Sequence, residues 1–295
     1  MSDRERTPHG FSIDVEDWFH ILDCDGAPDP TGWAQLDSRV ERCTMTLLDL
    51  LERHGHHATF FVLGWVAERH PAVVAEIVGR GHEIGSHSYG HELVGTLGPD
   101  AFRRDLERSL EALVAAGAPE VRAFRAPGFS IGPDQAWAFD ILADAGITLD
   151  ASLFLTQRAH GGWPLARRRP FEVWTPGGAR LMEVPVVPLR VGGAEVPYSG
   201  GGYLRLLPLP ILKALFARAD HAEEPVIAYL HPREIDPAQP RMRLPAARRF
   251  KYYVGLDSVQ AKLDALFAAH RFETLRFVAE RVAKDPPLVL ARQAA

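Results

Sequence analysis

Glu83-Ile-Gly-Ser-His87-Ser-Tyr-Gly-His91 reads as a short β-type run that delivers two histidines, four residues apart, at its C-terminal end. If the backbone turns helically after Ser86, positions i and i+4 share a face and both imidazoles aim at one point. Neutral imidazole is a common ligand for Zn²⁺ and similar ions, and a catalytic site of this kind uses about three protein ligands with one position left for water. A carboxylate from elsewhere in the chain must complete the pair.

The segments around this stretch alternate. Phe11, Ile13 and Val15 interleave with Ser12, Asp14 and Glu16, a period-two strand that ends in acid. Pleating puts Asp14 and Glu16 on one face and Asp17 on the other. Val40, Thr44, Leu47, Leu48 and Leu51 mark a helix that runs to His54-Gly55. Residues 58–63 form a buried-type strand, and residues 66–80 a helix restarted at Pro71. Downstream, residues 99–116 predict a helix, 121–126 a strand, 133–145 a helix and 147–151 a strand. Repeated βα units imply a parallel sheet, open or closed into a barrel. Residues 156–202 are rich in Gly and Pro, with short strands at 171–174, 180–184 and 186–191, and read as an insertion or cap. Helix 209–218 and strand 226–230 then lead to His231-Pro232. The segment 236–253 is polar and proline-broken, residues 259–269 predict a helix, 272–274 a strand and 275–283 a helix, and the last dozen residues read as a tail.

With 46% hydrophobic and 24% charged residues over 295 positions, the chain has ordinary soluble composition. A formal charge of −5 gives no footprint for nucleic acid. Cys24 and Cys43 allow one bridge at most, and reduced thiols are the expectation. The first ten residues are polar and lack the apolar core of a signal peptide, and no run approaches the roughly 18 apolar residues of a membrane span. A cytoplasmic protein without stable membrane insertion is expected; the oligomeric state is not legible.

Asp14 with Glu16, His87 with His91, Arg125 and His231 all fall at C-terminal ends of predicted strands, the rim on which α/β barrels build active sites. A divalent metal held by His87, His91 and one carboxylate would polarise a carbonyl and acidify water. A second carboxylate would act as general base, and His231 could act as general acid.

Four segments, Phe11-Ser-Ile-Asp-Val-Glu-Asp-Trp18, Gly81-His-Glu-Ile-Gly-Ser-His-Ser-Tyr-Gly-His91, Phe124-Arg-Ala-Pro-Gly-Phe129 and Tyr229-Leu-His-Pro232, carry a resemblance. The chain resembles the polysaccharide deacetylases of carbohydrate esterase family 4, the NodB-homology group, over about residues 10–235. Its C-terminal portion, including Phe250-Lys-Tyr-Tyr-Val-Gly-Leu256, resembles the subgroup found with bacterial exopolysaccharide and exosortase gene clusters. The resemblance implies a distorted (β/α)7 TIM-like barrel over residues 1–235, including the 156–202 insertion, with residues 236–295 as a C-terminal extension packed on it. It implies hydrolysis of N-acetyl groups on an N-acetylated glycan, with one divalent metal, Zn²⁺ or else Co²⁺ or Ni²⁺. Arg125 matches the arginine that orients the base. Pro127 fixes a loop whose Gly128 N–H matches the oxyanion donor, Phe129 supplies an aromatic wall, and Asp150 and Trp174 loosely match the acetyl-pocket segment.

The family's two adjacent aspartates are replaced here by Asp14-Val-Glu-Asp17. One register makes Asp14 the base and Glu16 the ligand, with Asp17 nearby behind the site or against substrate; the other makes Glu16 the base and Asp17 the ligand. Bland readings stand beside these: hydrogen-bonded loop histidines, a solvated acidic strand end and a structural Arg125 ion pair. Two rival functions follow, a metal-independent allantoinase-like amidohydrolase and a catalytically silent glycan-binding module.

Overall fold

The computed structural model describes residues 7–22, 26–191 and 194–291, so Cys24 lies outside the described residues. Cys43 is a buried thiol whose pKa burial pushes up to about 11, which makes it inert rather than reactive. No helix among the described residues is long and apolar enough to cross a membrane.

The first strand, β1 (His9–Val15), shows what its alternation encodes. Phe11, Ile13 and Val15 pack among residues of the outer helical layer. Ser12 and Asp14 turn the other way, onto a buried arginine inside the sheet. The chain continues through α1 (Val40–His54), β2 (Thr59–Val62), α2 (Gly64–Arg69), α3 (Pro71–Gly79), β3 (Glu83–Ser86), α4 (Val94–Ala115), β4 (Ala123–Phe124), α5 (Ala138–Asp144) and β5 (Leu149–Asp150). The second half adds β6 (Phe171–Trp174), β7 (Arg180–Glu183), β8 (Leu189–Val191), β9 (Ala194–Val196), α6 (Gly201–Leu206), α7 (Leu209–Ala222) and β10 (Ile227–Leu230). It closes with α8 (Ala246–Tyr253), α9 (Val259–Phe267), β11 (Phe272–Glu273), α10 (Leu275–Arg281) and β12 (Leu288–Val289).

Strands β10, β1, β2, β3, β4, β5 and β7 lie side by side in that order, each parallel to the next. The parallel sheet is the one expected from the βα alternation, and its distorted barrel form is the one the resemblance implied. Helix α1 ends where the sequence says it should: Gly55 adopts φ +66°, and the amides of Gly55 and His56 satisfy the carbonyls of Glu52 and Leu51. Beyond β7 the sheet continues through antiparallel β6 to β12.

Four expectations change. Residues 180–183, read as part of an insertion, form β7 in the main sheet. Among the described residues only β8 and β9 stand apart from this sheet, paired antiparallel with each other. The presumed tail contributes β12, and β11 pairs with β1. Residues 246–253, read as broken by proline, form α8 because Pro245 stands immediately before the helix, where a missing N–H costs nothing.

His82 sits in the turn before β3, where its Nδ1 accepts the backbone N–H of Ala58. Burial, reinforced by His57 and Arg80, pushes its pKa down to about 4. The folded state therefore binds its proton less readily than the unfolded chain, so this contribution to stability is complete above pH 6.5 and is lost as pH falls toward 4. Urea midpoints at pH 7.5 and 5 for wild type and His82→Gln measure it. The wild type is expected to lose roughly 2 kcal/mol more than the variant over that interval; equal losses would show that His82 is not responsible.

Candidate active site

Arg125, at the end of β4, has no exposed surface. A buried guanidinium demands partners, and it takes them from β1 and from the loop after β5: Nη1 donates to Asp14 at 2.7 Å and to Ser12 at 2.8 Å, and Nε donates to the carbonyl of Ala151 at 3.1 Å. The rings of Phe61, Phe129 and Tyr229 surround its Cζ. Asp14 is thereby fixed at the C-terminal rim with one oxygen toward Arg125 and the other 4.0 Å from His231 Nε2.

Glu16 reaches the same rim by a different route from simple pleating. β1 ends at Val15, and the Glu16 amide folds back on the Asp14 carbonyl. Its Oε1 lies 3.0 Å from His87 Nε2 and 2.9 Å from His91 Nε2. Burial alone would raise the Glu16 pKa, but the neighbouring imidazoles of His91, His231 and His87 hold it well below the usual carboxylate range.

The two histidines do not share a helix face. Ser88 and His91 take left-handed backbone, φ +66° and +57°, and the loop between them hangs on Asp105, which accepts the amides of Tyr89 and Gly90. Helix starts only at Val94. His87 Nδ1 is 2.7 Å from the carbonyl oxygen of Arg125. A carbonyl only accepts, so Nδ1 carries the proton and the neutral ring turns a lone pair on Nε2 toward the Glu16 carboxylate. Facing lone pairs at 3.0 Å need positive charge between them. A histidine whose second nitrogen is tied to a backbone carbonyl is the usual form of a metal ligand. Glu16, His87 and His91 therefore fit a divalent cation, all three donor atoms lying within 4.8 Å of one another.

Opposite this trio, His231 follows β10. Its Nε2 is 3.7 Å from Glu16, and its Nδ1 is 3.5 Å from Glu234. Burial by itself would lower the His231 pKa, but the charges of Glu16 and Glu234 raise it above the ordinary histidine value. Burial pushes Glu234 up, yet His231, Arg205 and Arg233 bring its pKa down to about 2. Arg205 is itself buried, bonded to Glu234 and to the carbonyls of Tyr252 and Val254.

Sequence reasoning missed Glu234 and Arg205. The available signal was the acid three residues after His231, whose carboxylate accepts the His231 amide in a capping arrangement. Gly201 was a second signal, since a Cβ there would overlap the Glu234 carboxylate.

Asp14, Glu16, Gly128, Phe129 and His231 line one cleft of about 600 Å³. Pro127 is buried and opens the turn in which Gly128 and Phe129 both adopt positive φ. Asp17 points away, and its carboxylate accepts the amides of Trp18, Arg39 and Val40 and the Ser38 hydroxyl, capping the start of α1. This corrects both roles anticipated for Asp17, metal ligand and substrate neighbour: capping consumes its acceptor capacity. Trp174 is also displaced from its anticipated role; it bonds Glu172 on β6, carries Arg180 on its ring and is not among the cleft residues. Asp150 accepts the Ser152 amide and hydroxyl, and burial together with the neighbouring Asp150 raises the Glu183 pKa well above normal. His20 packs behind His91, and burial pushes its pKa well down.

Residues 27–149 match the family model described as polysaccharide deacetylase, and residues 151–280 match a family described only as a domain of unknown function, DUF3473. The chain is similar to a peptidoglycan-N-acetylglucosamine deacetylase of Bacillus cereus, 39% identical over 24% of this chain and 26% of the relative. It is similar to a chitooligosaccharide deacetylase of Sinorhizobium fredii, 38% identical over 35% of this chain and 47% of the relative. It thus spans about a quarter to just under half the length of these curated relatives. A crystal structure of a provisionally named polysaccharide deacetylase from Mycobacterium smegmatis shares the fold, with a TM-score of 0.65 at 19% identity over 98% of this chain and 96% of that one. With the rim residues arranged as described, residues 27–149 are similar to the polysaccharide deacetylase family.

Proposed function

We propose that the protein is a metal-dependent N-deacetylase that removes acetyl groups from amino-sugar residues of a glycan, either a bacterial exopolysaccharide or its precursor. The observation that carries this reading is the meeting of His87 and His91 on one oxygen of Glu16, beside an Asp14 neutralised by Arg125 and facing His231. The substrate class draws on the relatives named for N-acetylglucosamine and chitooligosaccharide. The setting in exopolysaccharide synthesis draws on the subgroup resemblance of the C-terminal portion.

A divalent cation, Zn²⁺ in our reading, would supply Lewis acidity toward the acetyl carbonyl and lower the pKa of the attacking water. Asp14 accepts the proton of that water as its oxygen bonds to the carbonyl carbon, and Arg125 holds the carboxylate in orientation. The Gly128 N–H faces the oxygen on which charge develops; one such donor contributes roughly 3–4 kcal/mol to a transition state. His231 protonates the amine nitrogen as the C–N bond breaks, releasing acetate and a free amino sugar. Glu234, anchored by Arg205, positions that imidazole and favours its charged form. The barrel of residues 1–235 supplies the chemistry, and the extension from 236 shapes the cleft through Lys251, Tyr252 and Val254.

Acetate release from N-acetylglucosamine oligomers tests the reading. Asp14→Asn is expected to lower kcat by roughly 10²–10⁴-fold with metal content retained. Absence of hydrolysis by metal-loaded wild type across amide and ester substrates would instead favour a silent glycan-binding module. Glu16→Gln and His87→Ala are expected to lose bound metal, whereas Asp17→Asn keeps it and loses thermal stability; metal loss in Asp17→Asn with retention in Glu16→Gln would reverse the ligand assignment. Glu234→Gln is expected to lower kcat by about 10-fold or more while KM stays within about twofold, because it acts through His231 rather than on substrate. A rise in KM alone would remove Glu234 from that role.

A further inference from the structure

The cleft carries a positive feature that amide hydrolysis does not use. Arg233 lines it and is only 8% exposed, yet its Nε and Nη1 are buried without a hydrogen-bond partner among the described residues. Its guanidinium lies 4.4 Å over the ring of Tyr252 from α8, which holds the plane of the fork in place. The other charges in this wall are already matched. Asp14 pairs with Arg125, Glu16 meets two histidines, and Glu234 is bound by Arg205. An unpaired buried guanidinium is costly, and the ligands that best relieve it are carboxylate and phosphate, which accept its N–H groups two at a time.

Two further cations flank it. Lys251 lines the cleft from the exposed side of α8, and Arg158 lines it from the loop after β5, its guanidinium 4.3 Å from the ring of Phe154. Residues 241–251 hold five basic side chains and no acid, in a chain whose formal charge is −5. Of these five, Lys251 is the one among the cleft-lining residues.

We propose that the cleft contains an anion subsite, built on Arg233 with Lys251 and Arg158 at its rim. It selects a glycan that carries a carboxylate or phosphate on or next to the acetylated sugar. This rests on the deacetylase reading and narrows its substrate class to acidic glycans. The subsite comes from the part of the chain outside the deacetylase match, the same part that supplies His231 and Glu234.

The test compares kcat/KM for acetate release from three probes: neutral chitotetraose, a tetrasaccharide alternating N-acetylglucosamine with glucuronate, and chitotriose 1-phosphate. Wild type is expected to favour one anionic probe over the neutral one by about tenfold or more, and less so at high salt. The favoured arm identifies carboxylate or phosphate as the source. Arg233→Gln is expected to reduce the anionic-to-neutral ratio by about tenfold. Lys251→Gln, at an exposed position where folding is not at stake, is expected to reduce it by about threefold. Equal turnover of all three probes, or equal losses on neutral and anionic probes in both variants, would overturn the subsite. Calorimetric binding of the same probes separates the two readings: tighter anionic binding without hydrolysis supports the subsite and sinks the deacetylase reading, and equal binding sinks the subsite.

Discussion

A guanidinium with no exposed surface cannot be left unpaired, and the way Arg125 meets that demand organises the site. Its side chain ties β1 to the loop after β5, through Ser12, Asp14 and the Ala151 carbonyl. Its backbone carbonyl fixes the tautomer of His87 and so decides that Nε2 presents a lone pair to Glu16. One residue thus orients the proposed base and readies a proposed ligand. Breaking such a buried pair by removing one partner costs about 3–5 kcal/mol, so stability and function are not separable at this position.

The second half of the chain contributes more than a cover. Strand β10 brings His231 to the rim beside β1, Arg205 of α6 fixes Glu234 behind it, and Tyr252 and Val254 tie the end of α8 to the same arginine. A perturbation of α8 therefore has a physical path to the proposed acid: Tyr252 and Val254 to Arg205, Arg205 to Glu234, Glu234 to His231. The same helix sets Lys251 and Tyr252 at the lip of the cleft, so the orientation of the imidazole and the recognition of substrate share one support.

Much of this was legible in the sequence because local rules applied. Period-two alternation gave β1, the terminal Gly55 gave the end of α1, and the convergence of polar residues at strand ends gave the rim. Failures came where long-range contacts override local ones. His87 and His91 satisfy a helical spacing, but Asp105, distant in sequence, holds their loop in left-handed backbone instead. Asp17 looked like a site residue because it adjoins Glu16, yet the unsatisfied amides at the start of α1 claim it. Glu234 had a local signal in its place three residues after His231, but its pairing with Arg205 spans 29 positions and no motif links them.

Whether Glu16, His87 and His91 together hold the ion that makes hydrolysis possible is decided most directly by titrating metal-stripped protein with Zn²⁺ while following acetate release from chitotetraose. The account requires activity that is absent in the stripped protein and rises in proportion to added ion until one equivalent is bound. Full activity in the stripped protein, or none at full occupancy, would contradict it.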